Sequence, residues 1–192
     1  RAGRRLAVLF RGHHPGIHAG VLGPGHPPLR SLPAAPGIPN ESVANTLVLD
    51  YGLPRSLEIL KERGDEIAAV LIEPVQSRRA DWQPRDFLHE VRRITRDCGA
   101  AMIMDEVITG FRAAPGGAQE YFGVQGDIGT YGKVFGGGLP IGAIAGIPRF
   151  LDALDGGAWQ VGDDSVPAAG VPTFAGPCVR HSLVLGAARP RP

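Results

Sequence analysis

The sequence predicts an α/β fold built on a mostly parallel sheet with helices on both faces. Short apolar runs alternate with amphipathic helical patterns between about residues 45 and 150. The runs are four to seven residues long, which suits strands buried on both faces. Two of them end on an acidic residue, at the strand position where ligands gather in such sheets.

The elements follow in order. Leu6–Phe10 is the first apolar run, too short to be a signal peptide and suited to a strand. Thr46–Leu49 is the second, and Pro54 then opens a helix over residues 55–63, with Leu57 and Leu60 facing inward and Lys61 and Glu62 facing water. Ile67–Ile72 is a strand ending on Glu73. Residues 84–98 form a helix whose Phe87, Leu88, Val91, Ile94 and Cys98 share one face, and Gly99 supplies the stop. Residues 101–104 form a strand ending on Asp105, residues 141–147 another strand, and residues 148–154 a last helix. Glycine and proline, 28 and 18 residues of 192, concentrate in segments 11–40 and 162–192, which read as irregular.

Composition narrows the function. A net charge of +1 gives no reason to expect nucleic acid, and no apolar run reaches the roughly 20 residues that span a bilayer. Cys98 and Cys178 have neither metal-ligand nor redox spacing, so a reducing cytoplasm is the expected setting. The cluster His13-His14-x-x-x-His18 is interrupted by proline and glycine, so no metal site is expected there. Arg78-Arg79 and Arg92-Arg93 read as solvated faces. The chain begins with Arg instead of Met, which suggests a fragment or a processed product.

Lysine is scarce: Lys61 and Lys133 stand against eighteen arginines. Lys133 lies in Tyr131-Gly132-Lys133-Val134-Phe135-Gly136-Gly137-Gly138, the most glycine-dense turn of the chain. Arginine stays protonated, whereas a lysine amine can lose its proton and condense with an aldehyde. The apolar strand before Asp105-Glu106 also resembles the magnesium-binding strand of a phosphate-loop ATPase. That reading fails, because Asp127 stands where the first glycine of Gly-x-x-x-x-Gly-Lys-Ser/Thr belongs, and Val134 follows the lysine. A strand-end carboxylate with a later lysine suits pyridoxal phosphate, which needs an amine for its aldehyde and an anion to keep its ring nitrogen protonated. Asp105 and Lys133 supply the two groups, and Val107, on the same side of an extended segment as Asp105, would pack on the flat ring.

Asp105-Glu-Val-Ile-Thr-Gly-Phe-Arg112, followed 28 residues after Asp105 by Lys133 in its glycine-rich turn, resembles the class III pyridoxal-phosphate aminotransferases, in the branch containing glutamate-1-semialdehyde aminomutase. Glu73-Pro-Val-Gln-Ser-Arg-Arg79, Pro115-Gly-Gly-Ala-Gln119 and Trp159-Gln-Val-Gly-Asp-Asp-Ser165 are similar to aminotransferase modules of polyketide and nonribosomal peptide synthases. The resemblance covers the central part of the family's catalytic domain. It implies a fold type I large domain, a homodimer and a small-molecule amino donor. It also implies a ketone or aldehyde acceptor, extending to a β-ketoacyl thioester on an acyl carrier protein. Lys133 and Asp105 are the catalytic pair it implies, with Val107, His14 and Gly16 beside them at the cofactor. His14-Pro15-Gly16 stands where the family has Tyr-His-Gly, and Pro177 where it has a threonine that reaches the cofactor phosphate. The family's phosphate-holding loop falls upstream of Arg1. These departures predict weak cofactor binding by the chain as given, and the rival reading is a remnant that no longer holds cofactor.

Overall fold

A computed structural model describes residues 4–13, 21–22, 31–33 and 36–151. Its main sheet has six strands in the order β4-β1-β5-β6-β7-β8. They are β1 (Leu6–Phe10), β4 (Thr46–Leu49), β5 (Ile67–Ile72), β6 (Ala101–Asp105), β7 (Ile128–Tyr131) and β8 (Ala143–Gly146). The first five run parallel, and β8 closes the edge antiparallel to β7. A separate antiparallel pair joins β2 (Val21–Leu22) to β3 (Leu32–Pro33).

Period-two alternation sorts the strands' side chains between two layers. Val8, Phe10, Leu47, Leu49, Val70, Ile72, Met102 and Met104 enter one large core. There they meet Ile59 and Leu60 of α1 (Pro54–Glu62), Phe87, Leu88, Val91 and Ile94 of α2 (Arg85–Cys98), and Phe122 of α3 (Gly117–Phe122). Leu9 and Val48 point the other way and pack with Val43 of a short 3₁₀ turn, Asn40–Val43. Phe87, Leu88, Val91 and Ile94 of the expected α2 stripe are buried, Cys98 is partly buried against the same core, and Gly99 ends the helix in the left-handed conformation at φ 75°. The last helix, α4, is described over Pro148–Leu151.

Polar contacts tie the strand ends together. The Tyr51 hydroxyl donates to the Pro74 carbonyl at 2.7 Å, within an edge-to-face cluster of Phe10, Tyr51, Trp82 and Phe87. Arg92 departs from its expected solvated role. It makes a bidentate pair with Asp127 at 2.7 and 2.9 Å, and Asp127 also accepts from the Met102 amide at 2.8 Å. That fork pins α2 to the starts of β6 and β7, which only packing could reveal. Arg93 is the solvated member of the two, pairing with Glu90 and Asp97 on the exposed face.

Candidate active site

In a parallel sheet the carboxyl ends of adjacent strands open onto one crevice. Here the crevice is a cavity of about 540 Å³ that collects residues from four neighbouring strands. His13 follows β1, Glu73 follows β5, Asp105 ends β6, and Thr130 with Lys133 comes from β7 and its following turn. Val107 lines the same cavity. Asp105, Val107 and Lys133, singled out in the sequence, are therefore brought together. His14 and Gly16 lie outside the described residues, as do the segments holding Trp159 and Pro177.

Asp105 is held in a defined orientation. Its Oδ1 accepts from the Val107 amide at 3.1 Å and from the Thr130 hydroxyl at 3.2 Å. Its Oδ2 lies 3.4 Å from Nε2 of His13, whose side chain is 1% exposed. The other imidazole nitrogen, Nδ1, is 4.0 Å from Glu73 Oε2. His13 is the residue that sequence reasoning passed over. The motif directed attention to His14, and only the end of β1, beside β5 and one strand away from β6, places His13 between two carboxylates.

Lys133 sits in a backbone conformation that side chains avoid. Its φ is 49°, and Phe111 at 61° is the other non-glycine residue with positive φ among those described. Such a placement costs on the order of 1–3 kcal/mol and persists where the surroundings impose it. Extended Gly132 precedes it, with Val107 in ordinary contact range of a side chain there, and left-handed Gly137 and Gly138 follow. Lys61 has a different setting, exposed and paired with Glu90 at 2.9 Å between α1 and α2.

Glu106 turns away from the cavity into the protein interior and is fully buried. Its carboxylate accepts from the Thr109 hydroxyl at 2.5 Å and from the Ala118 and Gln119 amides at 2.9 and 2.8 Å. It thereby satisfies the first free amides of α3. The adjacent acids Asp105 and Glu106 divide the work, one facing the cavity and one building the loop behind it.

Burial pushes the Glu73 carboxyl above its ordinary value of 4.5; the Ser77 amide opposes this, Asp105 adds to it, and Lys133 pulls back. An acid raised in this way binds more protons folded than unfolded. Its contribution to stability is complete below the unfolded value and is lost as pH rises through the folded one. Glu73→Gln is therefore expected to raise the urea midpoint at about pH 7 and to leave it unchanged below about pH 4. An equal or lower midpoint at neutral pH would contradict this account of Glu73.

Among the described residues no group of three or more His, Cys, Asp or Glu is placed to hold a metal ion, and no helix is long and apolar enough to cross a membrane. A family model for class III aminotransferases matches residues 3–187. Glutamate-1-semialdehyde 2,1-aminomutase of Hyperthermus butylicus is 45% identical over 156 residues, covering 79% of this chain and 37% of the relative. The enzyme of the same name from Aquifex aeolicus is 40% identical over 167 residues, covering 83% and 39%. Among solved structures, an omega-transaminase from Sphaerobacter thermophilus superposes with a TM-score of 0.72 at 29% identity, over 87% of this chain and 39% of that one. A transaminase with pyridoxal phosphate bound superposes at 0.71 and 32% identity, over 86% and 41%. The chain thus spans about two fifths of the length of the proteins it matches. With the strand-end carboxylate and the glycine-turn lysine in one cavity and a family match along nearly the whole sequence, the chain belongs to the class III aminotransferases.

Proposed function

We propose that this chain carries the cofactor-binding core of a pyridoxal-phosphate-dependent enzyme that moves an amino group to a ketone or aldehyde. The observation that carries the reading is the convergence of Asp105, Val107 and Lys133 on one cavity. The donor set suits the cofactor: an oriented carboxylate, an amine and an apolar side chain face one crevice. Supporting the cofactor assignment, one structural neighbour is a transaminase with pyridoxal phosphate bound.

When bound, pyridoxal phosphate supplies an aldehyde for the donor's amine and a protonated ring that withdraws electrons from the carbon losing its proton. The chain's residues do the rest. Lys133 would hold the aldehyde through Nζ until the donor's amine displaces it, and the freed amine would then carry the proton that leaves the donor's α carbon. Asp105, fixed by the Val107 amide and the Thr130 hydroxyl, presents a negative charge to the ring nitrogen. Val107 gives the flat ring an apolar surface, and we assign His14 and Gly16 to the same cofactor neighbourhood. The donor is read as a small amino compound, and a second copy of the chain as the partner that completes the site. The cytoplasm is the proposed setting.

Borohydride reduction after incubation with pyridoxal phosphate, followed by peptide mapping, is expected to place the label on Lys133. Label on Lys61 alone would sink the assignment, and no label at all would favour a remnant that no longer holds cofactor. Offering a free β-keto acid and the same group as a carrier-bound thioester then distinguishes the two acceptor classes.

A further inference from the structure

His13 is enclosed by charge from three elements. Glu73 faces it from the end of β5 and Asp105 from the end of β6, while Lys133 after β7 and Arg78 after Glu73 complete the charged groups of the cavity among the described residues. Two carboxylates sharing a poorly hydrated site resist ionising together. Their surroundings separate them. Asp105 Oδ1 receives two hydrogen bonds, from the Val107 amide and the Thr130 hydroxyl. Glu73 receives the Ser77 amide at 3.1 Å on Oε1, while its buried Oε2 has no hydrogen-bond partner among the described residues and faces the imidazole.

We propose that one of His13 and Glu73, whose facing atoms lie 4.0 Å apart, carries a proton behind Asp105, so that Asp105 remains an ionised carboxylate toward the cavity. His13 is on this view a positioning residue. It acts through Asp105 and rests on the reading of Asp105 as the partner of the cofactor's ring nitrogen. Without the imidazole, the cavity would hold two carboxylates facing each other, and a proton entering would be shared between them. Asp105 would then lose part of the charge that its role requires. The opposed environments divide the labour: Asp105 keeps the charge, and the buried Glu73 edge keeps the proton close.

The test follows the imidazole nitrogens of the full chain by ¹H–¹⁵N NMR, without cofactor, across about pH 5 to 9, the span around the ordinary imidazole value. His13→Gln identifies the His13 signal among the six histidines, and His13→Asn does so if the first variant fails to fold. Glu73→Gln and Asp105→Asn are each expected to lower the His13 titration midpoint by about one pH unit, because each removes a negative neighbour. A histidine whose ring did not face the two carboxylates would titrate alike in all three proteins. Unchanged midpoints in both variants overturn the proposal. The Lys133 label is read separately. Shifted midpoints without that label would keep the proton pair and remove the cofactor reading, and a label with unchanged midpoints would do the reverse.

Discussion

Lys133→Arg is expected to abolish covalent capture of pyridoxal phosphate and to lower amine transfer by at least about three orders of magnitude. Arginine preserves the positive charge that the lysine presents to Glu73, so the electrostatics of the cavity survive the change. What disappears is an amine that can shed its proton. The folded state should be little affected, within about 0.5 kcal/mol, because the side chain is exposed and both residues meet the same backbone restriction at φ 49°. Asp105→Asn provides the complementary arm. It is nearly isosteric and keeps a carbonyl oxygen for the Val107 amide, so cofactor binding should fall much less than turnover. Borohydride labelling, spectroscopic titration and an amine-transfer assay on the three proteins separate these outcomes. Substantial turnover by Lys133→Arg would end the assignment of that lysine.

Glu106→Ala is expected to be the most destabilising single change in the cavity's supporting loop, at about 4 kcal/mol or more. Its carboxylate accepts three hydrogen bonds in a fully buried position, and each bond to a charged group contributes roughly 1.5–3 kcal/mol. Truncation leaves the Thr109 hydroxyl and two amides of α3 without their acceptor and also opens a void. Glu106→Gln keeps the volume and one acceptor oxygen, so it should lose less. Gly117→Ala attacks the same contact from the other side. Gly117 has φ 74°, and an added β carbon would stand 2.6 Å from Glu106 Oε2. Urea unfolding followed by circular dichroism measures all three, and a loss below about 1 kcal/mol for Glu106→Ala would refute this account of the loop.

Local patterns carried a large part of the fold. Apolar runs with the right length mark β1, β4, β5 and β6, and the stripe of α2 with Gly99 behind it defines that helix. Other elements have weak local signals. In β7, Ile128-Gly-Thr-Tyr offers one large aliphatic residue and a glycine, and its pairing with β6 and β8 makes it a strand. The start of α3 depends on Glu106, which lies more than ten residues earlier. The antiparallel course of β8 likewise follows from its partner and leaves no mark in its own residues.

The sequence by itself determined the α/β class, the carboxylate at the end of an apolar strand and the lone lysine in a glycine-rich turn. These are properties of short segments: periodicity, residue chemistry and backbone freedom act over a few neighbours. Tertiary structure alone decided which acid faces the cavity, that His13 lies between Glu73 and Asp105, and that Arg92 is committed to Asp127. Those contacts join residues far apart in the chain, and their energies arise from burial and shared charge once the strands have paired.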